Sequence, residues 1–242
     1  MSAIEQISLA EGWRVESLWP DVARHCQHWL AGRGLAARDA VVLLPFAALL
    51  PPARQAFAAL GGWQPRVETS LTLAAALGPP RPPLGGQCSG DPVLDRLACA
   101  ALLRQQSWGA AWAARDGAGF ARIVGLVVEA AQALRDAAAA RSPALRDAFW
   151  VECRAGLPVA QGPAGIEALL LRLALEWAAA SPPAATDGLF AHRPAAWLAL
   201  RLGGVDPLVE GLLAAAEVPV LRVVADPESP QPYTNITTTL PL

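Results

Sequence analysis

Residues 39–70, DAVVLLPFAALLPPARQAFAALGGWQPRVETS, decide the fold. Ala40 to Leu44 is an apolar run with two adjacent valines, bounded by Asp39 and Pro45. A strand with one wet face alternates apolar and polar residues, whereas a strand covered on both faces does not, so this run predicts an interior strand of a parallel sheet. Apolar residues at helical spacing follow from about Pro52 to Leu60, and Gly61-Gly62 closes that helix. Gln64-Pro65-Arg66-Val67 then returns as extended chain, because proline pushes the residue before it out of the helical region. Strand, helix and strand in this order make one unit of an α/β sheet.

Working outward, residues 4–10 predict a short strand, and Leu18, Val22, Cys26, Trp29 and Leu30 recur at helical spacing until Gly32 and Gly34. Near the other end, residues 195–202 are a strand-length apolar run and Gly203-Gly204 a turn. Residues 206–216 form an amphipathic helix, and 218–224 a β-branched strand. Between these parts, residues 78–92 (GPPRPPLGGQCSGDP) are rich in proline and glycine and mark a boundary. From Val93 to Ser181 the periodicity is helical, with about five helices and no strand signal. Leu94, Leu97, Ala101 and Leu102 form one apolar face, Phe120, Val124, Val127, Val128 and Leu134 another, and residues 164–180 a third. The expected architecture is α/β: a discontinuous parallel sheet domain from residues 1–78 and 190–226, an all-α helical module inserted at 79–189, and a tail at 227–242.

Composition removes several chemistries. Of 242 residues, 54% are hydrophobic and 17% charged, which excludes intrinsic disorder, and a net charge of -2 announces no strong basic field. All 19 basic residues are arginine. Without lysine there is no phosphate-reaching lysine of a P-loop and no Schiff base for pyridoxal phosphate, and no cofactor is expected. The N-terminus lacks the charged and apolar regions of a secretory signal, and no uncharged apolar stretch reaches membrane-spanning length, so a cytoplasmic protein is expected. Cys26, Cys88, Cys99 and Cys153 have no CxxC pairing and read as buried or idle thiols. His25, Cys26 and His28 match no metal-site spacing, and no metal is expected. Asp91 and Asp95 open a helix, Asp187 lies in a turn, and His192 has no evident nucleophile nearby. The chain is therefore expected not to be an enzyme. Residues 230–242 hold the only tyrosine, Tyr233, and the only asparagine, Asn235, and read either as a solvated tail or as sequence foreign to the rest.

Residues 41–60 (VVLLPFAALLPPARQAFAAL), the Trp63–Thr69 stretch followed by LTLAAALGP, and residues 174–190 (ALEWAAASPPAATDGLF) resemble the inactivated superfamily I helicase-like regions of AddB- and RecC-like subunits, relatives in the PD-(D/E)XK nuclease family. The resemblance implies a degenerate P-loop NTPase-like sheet, a role in double-strand-break repair, and an amino-terminal piece whose partners are a helicase or nuclease subunit or further C-terminal domains. At the phosphate-loop position stands Leu9-Ala10-Glu11-Gly12-Trp13-Arg14, with one glycine and an acid, so no ATP hydrolysis is expected. Arg54 and Arg66, near Thr69, are assigned to the edge where parallel sheets place ligand loops. The resemblance implies that this edge touches single-stranded DNA, with the arginines on phosphates and Trp63 stacked on a base. The alternatives are a solvated Arg54 and a core Trp63; Trp29, Trp112 and Trp177 fall on apolar helical faces. Three functions stand open: a non-catalytic DNA-binding or structural module, a protein-interaction scaffold, and an enzyme working through Arg, Asp and His.

Overall fold

The structure is a computed structural model that describes residues 4–9, 15–78, 83–158, 165–182 and 185–225. Its strands β1 (Ile4–Ser8), β2 (Ala40–Leu44), β3 (Arg66–Thr69), β4 (Ala196–Arg201) and β5 (Val220–Val224) form one all-parallel sheet in the order β1-β5-β4-β2-β3. The fold is α/β. Every residue of β2 is buried, as its unbroken apolar run requires, whereas the edge strand β1 is mostly exposed.

Alternate residues of each central strand feed two cores. On one face, Val42, Leu44, Leu198, Leu200, Leu221 and Val223 pack against α1 (Val15–Ala31) and α2 (Leu50–Ala59) through Val22, Cys26, Leu30 and Phe57. On the other, Val41, Leu43, Trp197, Ala199 and Val220 meet α3 (Ser70–Leu77), α9 (Asp187–Ala191) and α10 (Pro207–Ala215). Fully burying each such side chain contributes roughly 1.5–3 kcal/mol, so neither face of β2 can be left open. α2 and α10 lie on opposite faces because β2→β3 and β4→β5 run in opposite directions along the sheet, and parallel crossovers share one hand. At the sheet's edge, Glu5 accepts a bond from Trp29 Nε1 (3.0 Å) and pairs with Arg33, whose guanidinium lies 4.2 Å from the Trp29 ring.

Between α3 and α9 the chain forms α4 (Pro92–Arg104), α5 (Ser107–Arg115), α6 (Gly117–Ala139), α7 (Pro143–Ala155) and α8 (Gly165–Ala179). These helices have their own core, with Cys99, Leu103, Phe120, Val124, Val127 and Trp177 at its centre. α3 and α9 are neighbours: a Cβ on Gly188 would stand 3.3 Å from Leu77 Cβ, so the chain leaves and rejoins the sheet layer at one place. α6 is about 34 Å long at 1.5 Å per residue, and Ala140 just beyond it joins the second sheet core. Arg146 fastens this junction. It is buried, donates to the Ala138 carbonyl (3.2 Å) and Thr186 Oγ1 (3.0 Å), and pairs with Asp187, which begins α9 rather than lying in a turn. Among the described residues, α6 alone is long and apolar enough by length and composition to cross a membrane, although it carries Arg122, Glu129, Arg135 and Asp136. Its Phe120, Val124, Val127 and Val128 are spent in the helical core.

One predicted face is turned the other way. Leu94 and Leu97 are exposed at 57% and 65% and Ala101 is exposed too; of that face Leu102 alone packs, half-buried, against the helical core, and α4 buries Asp95, Cys99 and Leu103 instead. The reason is polar. Asp95, fully buried, accepts from Ser89 N (2.6 Å), Ser89 Oγ (2.8 Å), Gly90 N (2.9 Å), Gln132 Nε2 (3.0 Å) and Cys88 Sγ (3.3 Å), and this loop of donors replaces water. Residues 10–14 of the phosphate-loop position, 79–82 of the Pro/Gly boundary and the 227–242 tail lie outside the described residues.

Candidate nucleic-acid interface

In open α/β sheets, ligands bind outside the carboxyl ends of neighbouring strands whose connections diverge, which here are β2 and β4. That crevice is lined by Pro45, Arg201, Asp206, Glu210 and Arg222 and holds about 20 Å³, room on the order of one water. Three of its four charged groups have partners, whereas the buried Nε of Arg201 has none among the described residues. Asp206 caps α10 through Leu208 N (2.9 Å) and accepts from Ser70 Oγ (3.0 Å), while Arg222 pairs with Glu210. β1 stands at the sheet's edge, with β5 between it and β4.

The four residues singled out from the sequence do not converge on that edge. β2 and β3 are parallel and α2 carries the chain back, so Arg66, opposite Val41, stands at the amino end of the sheet, with Trp63 just before it. Thr69 leaves β3 at the carboxyl end, about 10 Å away at ~3.3 Å per residue. It is buried and caps α3: its Oγ1 accepts from Thr72 N (3.1 Å), and its own amide donates to Thr72 Oγ1 (2.9 Å). Arg54 donates through Nη2 to the Val67 carbonyl (2.9 Å), satisfying the edge of β3. Both Arg54 (3.5 Å) and Arg66 (3.6 Å) reach Glu68, so the structure gathers these two arginines around one carboxylate.

Trp63 is the residue with free surface. It is 75% exposed, so it is not core. Gly61 and Gly62, with φ of 73° and 74°, make the left-handed turn that lifts it clear of α2, a conformation that side chains with a Cβ resist. Arg38, which also pairs with the neighbouring Asp39 (3.7 Å), lies 5.7 Å from its ring centroid, within cation–π range, and Gln27, Gln64, Phe57 and Pro65 line the groove beside it. An exposed indole with a guanidinium on it and two amides at its side is equipped to stack a base, meet a phosphate and reach base edges. Of the other tryptophans read as core, Trp29 and Trp177 are buried and Trp112 is half-buried.

No protein family, curated protein or solved structure matches this chain.

The remaining candidates are accounted for residue by residue. His25 bonds the Asp21 carbonyl through Nδ1 (2.7 Å), Cys26 is buried with its thiol pushed up by burial to about 12, and His28 is exposed. All four cysteines are free, and among the described residues no metal-binding cluster of His, Cys, Asp and Glu occurs. His192 packs edge-on against Trp197, 5.7 Å between ring centres. Burial, and then the charge of Arg66, hold its pKa below 6.5. The unfolded chain then binds more protons than the folded one, so this stabilisation is complete above 6.5 and is lost as pH falls through the lowered value. His192→Gln is expected to flatten the fall in unfolding midpoint between about pH 7 and 5; an unchanged slope in the variant would exclude His192 as its source.

Sequence reasoning passed over one further surface, an open groove between α4, α5 and α6 that carries Arg96, Arg104 and Arg122. Nothing local marks these arginines, because which ones lack an acid partner is a property of packing.

Proposed function

We propose that this chain is a non-catalytic, helicase-like module of a cytoplasmic double-strand-break repair helicase–nuclease, and that it binds single-stranded DNA at the amino edge of its sheet. In this reading the sheet domain of residues 1–78 and 190–226 descends from a P-loop motor and the helices of 79–189 are an insertion. The adjacency of α3 and α9 supports that, since an insertion must begin and end at one place. The absence of lysine, the Arg222–Glu210 ion pair and the use of Asp206 to cap α10 and bond Ser70 support a module that hydrolyses no ATP. The observation that carries the reading is Trp63, 75% exposed beneath Arg38.

Fluorescence anisotropy with a labelled oligo-dT at about 50 and 200 mM salt tests it, because phosphate contacts weaken steeply over that range. Binding is expected to fall with salt and to weaken roughly tenfold in Trp63→Ala, in keeping with ~1–3 kcal/mol per stacked base. The variant should keep its melting temperature, since the ring is exposed. Absence of binding, or binding indifferent to Trp63→Ala, would overturn the assignment.

A further inference from the structure

The α4/α5/α6 groove is an open concavity of about 690 Å³. Its floor is small and apolar, made by Ala100, Ala113, Ala121, Gly125 and the buried ring of Phe120. Positions 93, 96, 97, 100 and 104 share one face of α4, so the exposed Val93 and Leu97 (66% and 65%) extend that face beside Arg96 toward the amino end of the helix. On α6, Arg122 and the 62%-exposed Leu126 lie one turn apart on the facing wall.

The rim is charged and unneutralised. Among the described residues nine arginines make ion pairs; Arg96, Arg104 and Arg122 do not, as Arg115, Arg135, Arg141, Arg172 and Arg201 do not, and what sets these three apart is that they line one groove. Arg104 instead lies 5.1 Å over the Phe120 ring, and Glu129 is the one acid lining the groove. Three cations against one anion around an apolar floor select a partner that is apolar in its centre and acidic at its flanks. A nucleic acid strand would want a line of cations and an exposed aromatic platform, and the groove's only ring is buried. A helix has the right width, ~10 Å, and small floor residues let helix axes approach to about 8–10 Å.

We propose that this groove docks an acidic amphipathic helix of a partner protein. Its aliphatic side chains lie on the Ala100, Phe120 and Gly125 floor, and its carboxylates meet Arg96, Arg104 and Arg122. The proposal goes beyond the DNA-binding reading and uses a different surface from Trp63.

The test titrates the full chain with a fluorescein-labelled helical peptide of about 20 residues, with leucines at helical i, i+3, i+4 and i+7 spacing and glutamates on the flanks. The same peptide with arginine for glutamate, and a labelled oligo-dT, are the comparisons. Two variants probe the groove independently. Arg96→Glu with Arg122→Glu reverses the rim, and Gly125→Leu fills the floor, where an added Cβ meets nothing within 4 Å. The acidic peptide is expected to bind, at least about tenfold weaker to either variant, with both variants folded by circular dichroism and Trp63→Ala without effect. The arginine peptide should not bind. Equal binding of the two peptides, acidic-peptide binding absent or indifferent to both variants, or oligo-dT binding that disappears in the same variants would overturn it, the last by assigning the groove to nucleic acid.

Discussion

Asp95→Ala is expected to destabilise the helical region by about 3–4 kcal/mol, because it leaves several buried donors without an acceptor. Burial alone pushes the Asp95 carboxyl up, yet the bonds from Ser89, Gln132 and Cys88 outweigh it and hold the group below its ordinary 3.8. The folded state thus favours the ionised form, and this contribution is present above 3.8 and lost as pH falls through the lowered value. Cys88 reports the same arrangement from the other side: burial raises its thiol, and the bond to Asp95 adds to the rise. Asp95→Asn keeps the volume but turns an amide donor toward other donors, so it should lose about 2–3 kcal/mol. Urea unfolding measures both, and amide exchange at Ser89 and Gly90 should accelerate in each. A change below about 1 kcal/mol for Asp95→Ala would mean that water takes the carboxylate's place without penalty.

Gly211→Ala should destabilise by about 2–3 kcal/mol, against the usual gain of ~1 kcal/mol for this change inside a helix. A Cβ at Gly211 would stand 1.8 Å from the Ala140 carbonyl oxygen, which is backbone and cannot swing away. α10 would have to lift from the end of α6, opening the junction that Arg146 fastens. Gly125→Ala is the comparison: it too lies within a helix, but its Cβ enters open space, so the ordinary gain of about 1 kcal/mol is expected. Thermal melts of the two single variants should move in opposite directions. A shift of both melts to higher temperature would show that α10 does not press on α6 as described.

Much of the fold was legible because burial writes itself into local pattern. Ala40–Leu44 reads as a doubly covered strand from its own five residues, and the structure puts it there. Asp91 and Asp206 announce helix starts, and each accepts bonds from the first turn it precedes. Legibility fails where a residue's environment comes from distant chain. Leu94, Leu97, Ala101 and Leu102 have a core-like period, yet of these Leu102 alone packs against the helical core, and the side around Asp95 is buried because Ser89 and Gln132 arrive to satisfy it. The predicted site fails for a related reason. Arg66 and Thr69 are three residues apart, but a strand between them sends them to opposite ends of the sheet.

The sequence by itself determined that the chain is α/β, where its central strands lie, and that no lysine-dependent chemistry is available, since periodicity and composition are local quantities. The tertiary structure decided the strand order β1-β5-β4-β2-β3, the exposure of Trp63, the sharing of Glu68 by Arg54 and Arg66, and the unpaired state of Arg96, Arg104 and Arg122 among the described residues. Strand order and ion pairing depend on which distant segments meet, and pairwise contact across many residues leaves no periodic trace in a single chain.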